Sequence, residues 1–168
     1  MNTQPYWIEG PWPGRLAISP RPRGGEWLSD EIDGWSQSGI DVVVSLLTCD
    51  EMRDLDLNEE AELCQAHSIS FISFPIDDLS VPGSRSEALN LVSAIERLLV
   101  EGHRIVIHCR GGIGRSGLLA ASLLVSSGIE PEAALRTVSD ARGFSVPETA
   151  QQVQWVRDFA DTAAALTR

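Results

Sequence analysis

One stretch of this chain constrains its fold more than any other: a short apolar run that breaks into a glycine-rich loop and then into a helix. Residues 105–117 read IVIHCRGGIGRSG. The three β-branched residues at the start predict a buried strand, and apolar residues at helical spacing resume after Gly117. The glycines between them allow backbone angles that other residues avoid. The sequence therefore predicts a strand, a loop and a helix N-terminus in direct succession.

The sequence of this loop predicts a phosphate-binding site. Such a loop directs successive backbone N–H groups into one concavity above the positive end of the helix dipole, which suits a phosphoryl dianion. We expect the phosphate to be held by Arg110, Gly111, Gly112, Ile113 and Gly114. Arg115 closes the site with a planar fork that matches two phosphoryl oxygens. The same field favours the thiolate form of Cys109, which makes this residue the candidate nucleophile.

The run HCRGGIGRSG resembles the signature of the cysteine-dependent protein tyrosine and dual-specificity phosphatases. In that signature five residues separate Cys from Arg, as they separate Cys109 from Arg115 here. The chain looks most like the small, compact dual-specificity type, which includes cyclin-dependent-kinase-associated and bacterial phosphatases. The resemblance implies hydrolysis of phosphomonoesters through a phosphocysteine intermediate, with no cofactor and no metal. Ser116 then donates a hydrogen bond to the leaving thiolate. We expect His108 to order the loop from behind with its ring turned away from substrate, and the alternative is a role in proton transfer.

A second informative loop, residues 75–83, follows a predicted strand and carries two aspartates. Phosphoryl transfer to Cys109 expels an alkoxide or phenoxide, which a carboxylic acid at this position would protonate. The family's Pro-hydrophobic-x-Asp pattern places Asp78 at the acid position, with Asp77 as the alternative. The resemblance also implies that Gln152 positions the hydrolytic water, and the alternative there is an ordinary surface glutamine.

Strand and helix patterns alternate along the chain, which predicts an α/β fold of three layers: a central, mostly parallel sheet with helices on both faces. The active site then lies at the carboxyl ends of the strands. We expect a single phosphatase-like domain over residues 1–168. Its first part, residues 1–25, reads as an irregular leader rich in proline and glycine with one edge strand at residues 16–18. The acidic residues 50–62 read as a loop leading into a helix, with the acids on a solvated face.

Charge and cysteine content exclude several functions. The net charge is −11, and the 13 basic residues are all arginines. Without lysine, Schiff-base chemistry and a Walker-type phosphate site are excluded. The acidic balance disfavours nucleic acid and anionic membranes as partners, and the acids have neither EF-hand spacing nor a neighbouring histidine cluster to bind a metal. An odd number of cysteines fits a reducing compartment.

We therefore expect a cytoplasmic, monomeric enzyme that acts on a phosphorylated protein or peptide. Three alternatives remain open: a phosphatase of a non-protein phosphoester, a rhodanese-type sulfurtransferase and a catalytically silent phosphate-binding module. Rhodanese loops commonly have a shorter spacing between Cys and Arg, which disfavours the sulfurtransferase. Phosphotyrosine and phosphoserine or phosphothreonine fit the pattern equally, and a regulatory disulfide between Cys49 and Cys109 is a lesser hypothesis.

Overall fold

A five-stranded sheet forms the centre of the computed structural model, which describes residues 3–166. The strands are β1 (Tyr6–Ile8), β2 (Arg15–Ser19), β3 (Val42–Ser45), β4 (Ser70–Ser73) and β5 (Arg104–His108). Their order across the sheet is β1-β2-β5-β3-β4, with β1 antiparallel to β2 and every other pair parallel. The predicted fold class, an α/β fold with a mostly parallel sheet, is confirmed.

Helices cover both faces of this sheet. They are α1 (Leu28–Gln37), α2 (Cys49–Asp54), α3 (Glu60–Ala66), α4 (Arg85–Val100), α5 (Gly114–Ser126), α6 (Pro131–Arg142) and α7 (Ala150–Leu166). Successive side chains of β5 point to opposite faces: Ile105 and Ile107 pack in one apolar cluster with α4 to α7, and Val106 packs in the other with α1 and α3. This two-sided burial explains the unbroken apolar run of the sequence. Within residues 3–166, no helix has both the length and the apolar character needed to cross a bilayer.

The N-terminal segment is more regular than the sequence predicts. It contains two strands, and β2 lies inside the sheet because β1 pairs along its outer side, with Tyr6 opposite Ile18 and Ile8 opposite Leu16. The predicted edge position of residues 16–18 is therefore wrong, and Leu16, Ala17 and Ile18 are fully buried. With three residues, β1 is too short to show an alternating pattern.

The acidic segment also differs from its prediction as a loop, because it contains α2. The hydroxyl of Thr48 accepts a hydrogen bond from the Glu51 N–H at 3.3 Å, and the Glu51 carboxylate accepts one from the Thr48 N–H at 3.0 Å. This reciprocal pair is a capping box, which satisfies two of the free N–H groups at the start of a helix.

Candidate active site

The glycine-rich loop lies at the carboxyl edge of the sheet, between the end of β5 and the start of α5. Since β5 pairs with β2 on one side and β3 on the other, the loop is at the centre of this edge. Cys109 directly follows β5 and is 3% exposed, and Arg115 is the second residue of α5 and is 1% exposed. The predicted succession of strand, loop and helix is confirmed, and it buries both Cys109 and Arg115.

Gly112 gives this loop its shape. Its φ of +67° lies in the left-handed region that favours glycine. A Cβ atom at this position would lie 2.5 Å from Pro20 N and 2.5 Å from the carbonyl carbon of Ser19. The loop therefore passes so close to the end of β2 that no side chain fits at Gly112.

The guanidinium group of Arg115 donates four hydrogen bonds from its two terminal nitrogens. Nη1 donates to Oε2 of Glu51 at 2.7 Å and to the Ile76 carbonyl at 2.8 Å. Nη2 donates to Oε1 of Glu51 at 2.9 Å and to Oδ1 of Asp78 at 3.1 Å. The Glu51 carboxylate thus holds the arginine fork from one side in a bidentate pair, while Asp78 reaches it from the loop after β4.

Charge at this centre is balanced by the same contacts. Burial raises the pKa of Glu51, but hydrogen bonds from Arg115 and from the Thr48 backbone outweigh it and lower that pKa to about 2. Burial lowers the pKa of Arg115, yet the Glu51 hydrogen bond and electrostatic interactions with Cys109, Glu51 and Asp78 raise it above its ordinary value. At neutral pH the pair is therefore a cation and a carboxylate.

Of the two candidate acids, the structure places Asp78 beside Arg115. The Asp78 side chain is 55% exposed, and its Oδ1 also accepts a hydrogen bond from the Leu79 N–H at 3.0 Å. Asp77 is exposed, and its carbonyl accepts a hydrogen bond from the Ser80 N–H at 3.0 Å in a tight turn. Leu79, the residue before Ser80, has a φ of +62°, a strained value for this residue type. The turn thus directs Asp78 toward the glycine-rich loop.

His108 lies beneath the loop and contacts a carboxylate that the sequence assigns to a solvated face. Its Nε2 is 2.7 Å from Oε1 of Glu60, and both side chains are fully buried. Its Nδ1 is 3.4 Å from the Cys109 carbonyl oxygen, and its ring lies 6.1 Å from that of Trp35. The solvated position predicted for the acids of this segment is wrong for Glu60, which anchors His108 to α3.

Ser116 and Gln152 are both fully buried. The Ser116 hydroxyl has no hydrogen-bond partner among residues 3–166, and its bond to the leaving Cys109 thiolate stays a prediction for the second step of the reaction. Gln152 is fully buried, which rules out the alternative of a surface glutamine. Its Oε1 accepts hydrogen bonds from the N–H groups of Glu148 and Thr149, and its Nε2 donates to the Ser80 carbonyl at 2.9 Å. Gln152 thereby joins α7 to the loop of Asp78.

Arg110 is half exposed and faces the same carboxylate as Arg115, with its Nε 3.6 Å from Oε1 of Glu51. The three thiols are free: Cys49 is exposed, whereas Cys64 and Cys109 are buried. Burial, with the nearby charge of Glu60, raises the pKa of the Cys64 thiol to about 12, so this residue stays protonated and inert.

Sequence reasoning missed Glu51, Glu60 and Arg142, which donates to two carbonyls of the glycine-rich loop. Only Glu51 has a local signal, since Thr48-x-x-Glu51 matches the capping-box pattern. Nothing local distinguishes Glu60 from Glu59 and Glu62, because its role depends on a histidine that is distant in the sequence.

The sequence of this chain is similar to those of known proteins. The model of the family Tc-R-P, described as polymorphic toxin system, DSP-PTPase phosphatase, matches residues 19–129. The chain is 32% identical over 140 residues to cyclin-dependent kinase inhibitor 3 of Rattus norvegicus, a match that covers 82% of this chain and 66% of that protein. The chain therefore spans just under two thirds of this relative, and it spans 60% of the protein of the same name from Sus scrofa.

Two solved structures share the fold. Kinase-associated phosphatase, with its catalytic-site cysteine substituted by serine, superposes with a TM-score of 0.89 over 98% of both chains at 22% identity. The active form of Tk-PTP superposes with a TM-score of 0.77 at 27% identity, over 94% of this chain and 96% of that chain.

Proposed function

This chain belongs to the dual-specificity phosphatase (DSP-PTPase) family, and from that premise we propose that it hydrolyses phosphomonoesters of phosphoproteins with Cys109 as nucleophile. The observation that carries the proposal is the meeting of three groups at one loop. Cys109 and Arg115 are buried within it, and Asp78 reaches Arg115 at 3.1 Å from a separate loop. A nucleophile, an anion-binding fork and a carboxyl group are what two-step phosphoryl transfer requires.

In the first step the Cys109 thiolate attacks phosphorus, and the bond to the leaving oxygen breaks. The loop N–H groups and Arg115 hold the equatorial oxygens, and the phosphoryl group replaces the Asp78 carboxylate at Nη2 of Arg115. Released from this contact, the exposed Asp78 carboxylate takes up a proton from solvent, and the resulting carboxylic acid gives this proton to the leaving oxygen. The products are the dephosphorylated hydroxyl group and a phosphocysteine.

In the second step a water molecule attacks the phosphocysteine, and the Asp78 carboxylate takes its proton. The P–S bond breaks, inorganic phosphate forms and the Cys109 thiolate leaves. The buried, unpaired hydroxyl of Ser116 is available to donate a hydrogen bond to this thiolate. Gln152, which we expect to position this water, also holds the loop of Asp78 against α7 through Ser80. These protein groups supply the charge stabilisation, and we propose no metal or cofactor for it.

We further propose a cytoplasmic monomer acting on phosphotyrosine, phosphoserine or phosphothreonine in proteins. The support is the family, the acidic balance of the chain and the name of the kinase-associated phosphatase that shares its fold. A non-protein phosphoester remains the second substrate class for the same chemistry. No observation at the site favours a sulfurtransferase or a silent binding module.

The test is hydrolysis of para-nitrophenyl phosphate and of a phosphopeptide set by the purified protein. We expect wild type to release phosphate from both, and Cys109→Ser to lose activity by about a thousandfold or more, since the nucleophile is removed. Asp78→Asn should slow phosphopeptide hydrolysis more than hydrolysis of para-nitrophenyl phosphate, whose phenolate leaves without protonation. Exposed Cys49→Ser is the matched control and should retain activity. Equal activity of Cys109→Ser and wild type would exclude the proposal.

A further inference from the structure

The outer side of the glycine-rich loop carries a hydrogen-bond pattern that the reaction does not use. Three consecutive carbonyls, those of Arg110, Gly111 and Gly112, accept hydrogen bonds from outside the loop. The Arg21 N–H donates to the first at 3.1 Å. Arg142 donates to the other two, from Nη2 to Gly111 O at 3.3 Å and from Nε to Gly112 O at 3.1 Å.

These contacts fix the direction of the loop's N–H groups. In a trans peptide the C=O and N–H bonds point in opposite directions. With the Gly111 and Gly112 carbonyls turned outward to Arg142, the N–H groups of Gly112 and Ile113 are turned to the inner side of the loop. A cation on the carbonyl side also polarises these peptide groups, so their N–H ends become stronger donors.

The guanidinium group of Arg142 is itself held in place by two aromatic rings. Its central carbon lies 4.2 Å from the ring centroid of Tyr6 and 4.6 Å from that of Phe144. Tyr6 belongs to β1, and Phe144 follows the end of α6, which terminates at Gly143 with a φ of +92°. Arg142, Tyr6 and Phe144 together form what we call the outer clamp. Stacking fixes the plane of the fork, and a fixed plane allows two hydrogen bonds to adjacent carbonyls at once.

We propose that Arg142 is a positioning residue for phosphoryl binding: it orients and polarises two peptide groups of the loop from the side opposite the substrate. This inference rests on the proposed phosphatase function and extends it to a residue that does not touch the substrate. In this view the outer clamp orients the N–H groups of the loop, and Arg115 provides the positive charge on the side that binds the phosphoryl group. A lysine at this position lacks the planar fork and would hold only one carbonyl well.

The test compares Arg142→Ala and Arg142→Lys with Arg136→Ala, an exposed arginine on the same helix. The measurements are kcat and KM for para-nitrophenyl phosphate, the inhibition constant of orthovanadate, and thermal unfolding, with all kinetics recorded well below the unfolding temperature. For Arg142→Ala we expect vanadate inhibition to weaken by about tenfold or more, with a comparable loss in kcat/KM. Arg142→Lys should recover only a small part of this loss, and Arg136→Ala should stay within about twofold of wild type.

Chemical rescue of Arg142→Ala distinguishes a positioning role of Arg142 from a role in folding alone. Methylguanidinium added to Arg142→Ala should restore vanadate inhibition by entering the space between Tyr6 and Phe144, whereas methylammonium at the same concentration should not. Failure of methylguanidinium to act, or equal vanadate inhibition of Arg142→Ala and Arg136→Ala while wild type remains active, overturns the inference and leaves the proposed function standing. If wild type neither hydrolyses the substrate nor binds vanadate, the proposed phosphatase function and the positioning role of Arg142 are both wrong.

Discussion

The Arg115 guanidinium depends on one carboxylate for its position. Glu51 is 12% exposed and binds both terminal nitrogens of Arg115, at 2.7 and 2.9 Å. Breaking such a pair by removing one partner leaves a buried charge without compensation, which costs more than the pair itself contributes. Glu51 therefore supports both the stability of the fold and the orientation of the arginine fork.

The stability contribution of Glu51 has a defined pH dependence. The folded protein keeps this carboxyl ionised down to a pKa of about 2, compared with an ordinary value of 4.5. A lowered pKa stabilises the folded state above pH 4.5, and the contribution is lost as the pH falls toward 2. We expect Glu51→Gln to lower the free energy of unfolding by roughly 3 kcal/mol at neutral pH, with the deficit shrinking as the pH falls. Urea unfolding at a series of pH values measures this.

The control for that series is Glu62→Gln, which removes an exposed carboxyl on the neighbouring helix. Its effect on the free energy of unfolding should be within about 0.5 kcal/mol of wild type. Glu51→Gln should also lower kcat/KM, because Arg115 loses its bidentate partner. A constant difference in unfolding free energy between Glu51→Gln and wild type across the acid range would contradict this role of the Glu51 carboxylate.

The sequence identifies a residue most directly where its partners are close along the chain. Cys109 and Arg115 flank one short loop, so their spacing predicts that both face the same anion. Glu51 and Glu60 meet Arg115 and His108 only after the sheet has assembled, and a carboxylate in an acidic segment gives no sign of a distant partner. Arg142 likewise has no local signal, since its contacts come from the start of β1, the segment just after α6 and the loop itself.

At the scale of the elements, the loop between β5 and α5 is shaped by its approach to the end of β2. Gly112→Ala would place a Cβ atom 2.5 Å from backbone atoms of Ser19 and Pro20, at a φ of +67°. Because backbone cannot move aside as a side chain can, we expect this variant to lose phosphatase activity by about a hundredfold or more and to unfold at a lower temperature.

The comparison for Gly112 is Gly128→Ala, which shares the positive φ but has open space around it. Gly128 lies after α5 with a φ of +100°, so alanine should cost about 1 kcal/mol from backbone strain and leave kcat/KM near that of wild type. Thermal unfolding and kinetics of the two variants distinguish the backbone strain that both share from the clash with Ser19 and Pro20 that only Gly112→Ala introduces. If Gly112→Ala and Gly128→Ala lost similar amounts of activity, the clash at Gly112 would not be the cause of its loss.

Long elements with caps are the part of the fold that local patterns predict well. Helix α4 begins directly after Ser84, whose hydroxyl accepts a hydrogen bond from the Glu87 N–H at 3.2 Å, which is the capping role that serine favours at a helix start. Very short elements have too few residues for a clear periodic pattern: β1 has three and α2 has six. Helix α1 begins at Leu28, directly after a 3₁₀ turn at Gly25–Trp27.

At the scale of the whole molecule, the sheet order decides which segments meet at the site. Asp78 follows β4, Glu51 follows β3, and Cys109 follows β5, so three neighbouring parallel strands bring their following loops to one edge. Arg142 reaches the same loop from α6, and Tyr6 of the antiparallel edge strand β1 contacts the Arg142 guanidinium group. The alternation of strands and helices in the sequence predicts that these three loops share the carboxyl edge of the sheet. It does not predict the strand order, which depends on pairing between segments distant in the sequence.

The position of β5 has a consequence for the time course of folding. It is the last strand along the chain, yet it lies between β2 and β3, which precede it. Pairing on both its sides closes long chain loops, and such non-local contacts form late. We expect phosphatase activity to return only with the final main phase of refolding, after early helix formation is complete. Interrupted refolding, with activity assayed after each delay and compared with circular dichroism, measures this, and activity that precedes the recovery of native tryptophan fluorescence would show that the loop forms independently.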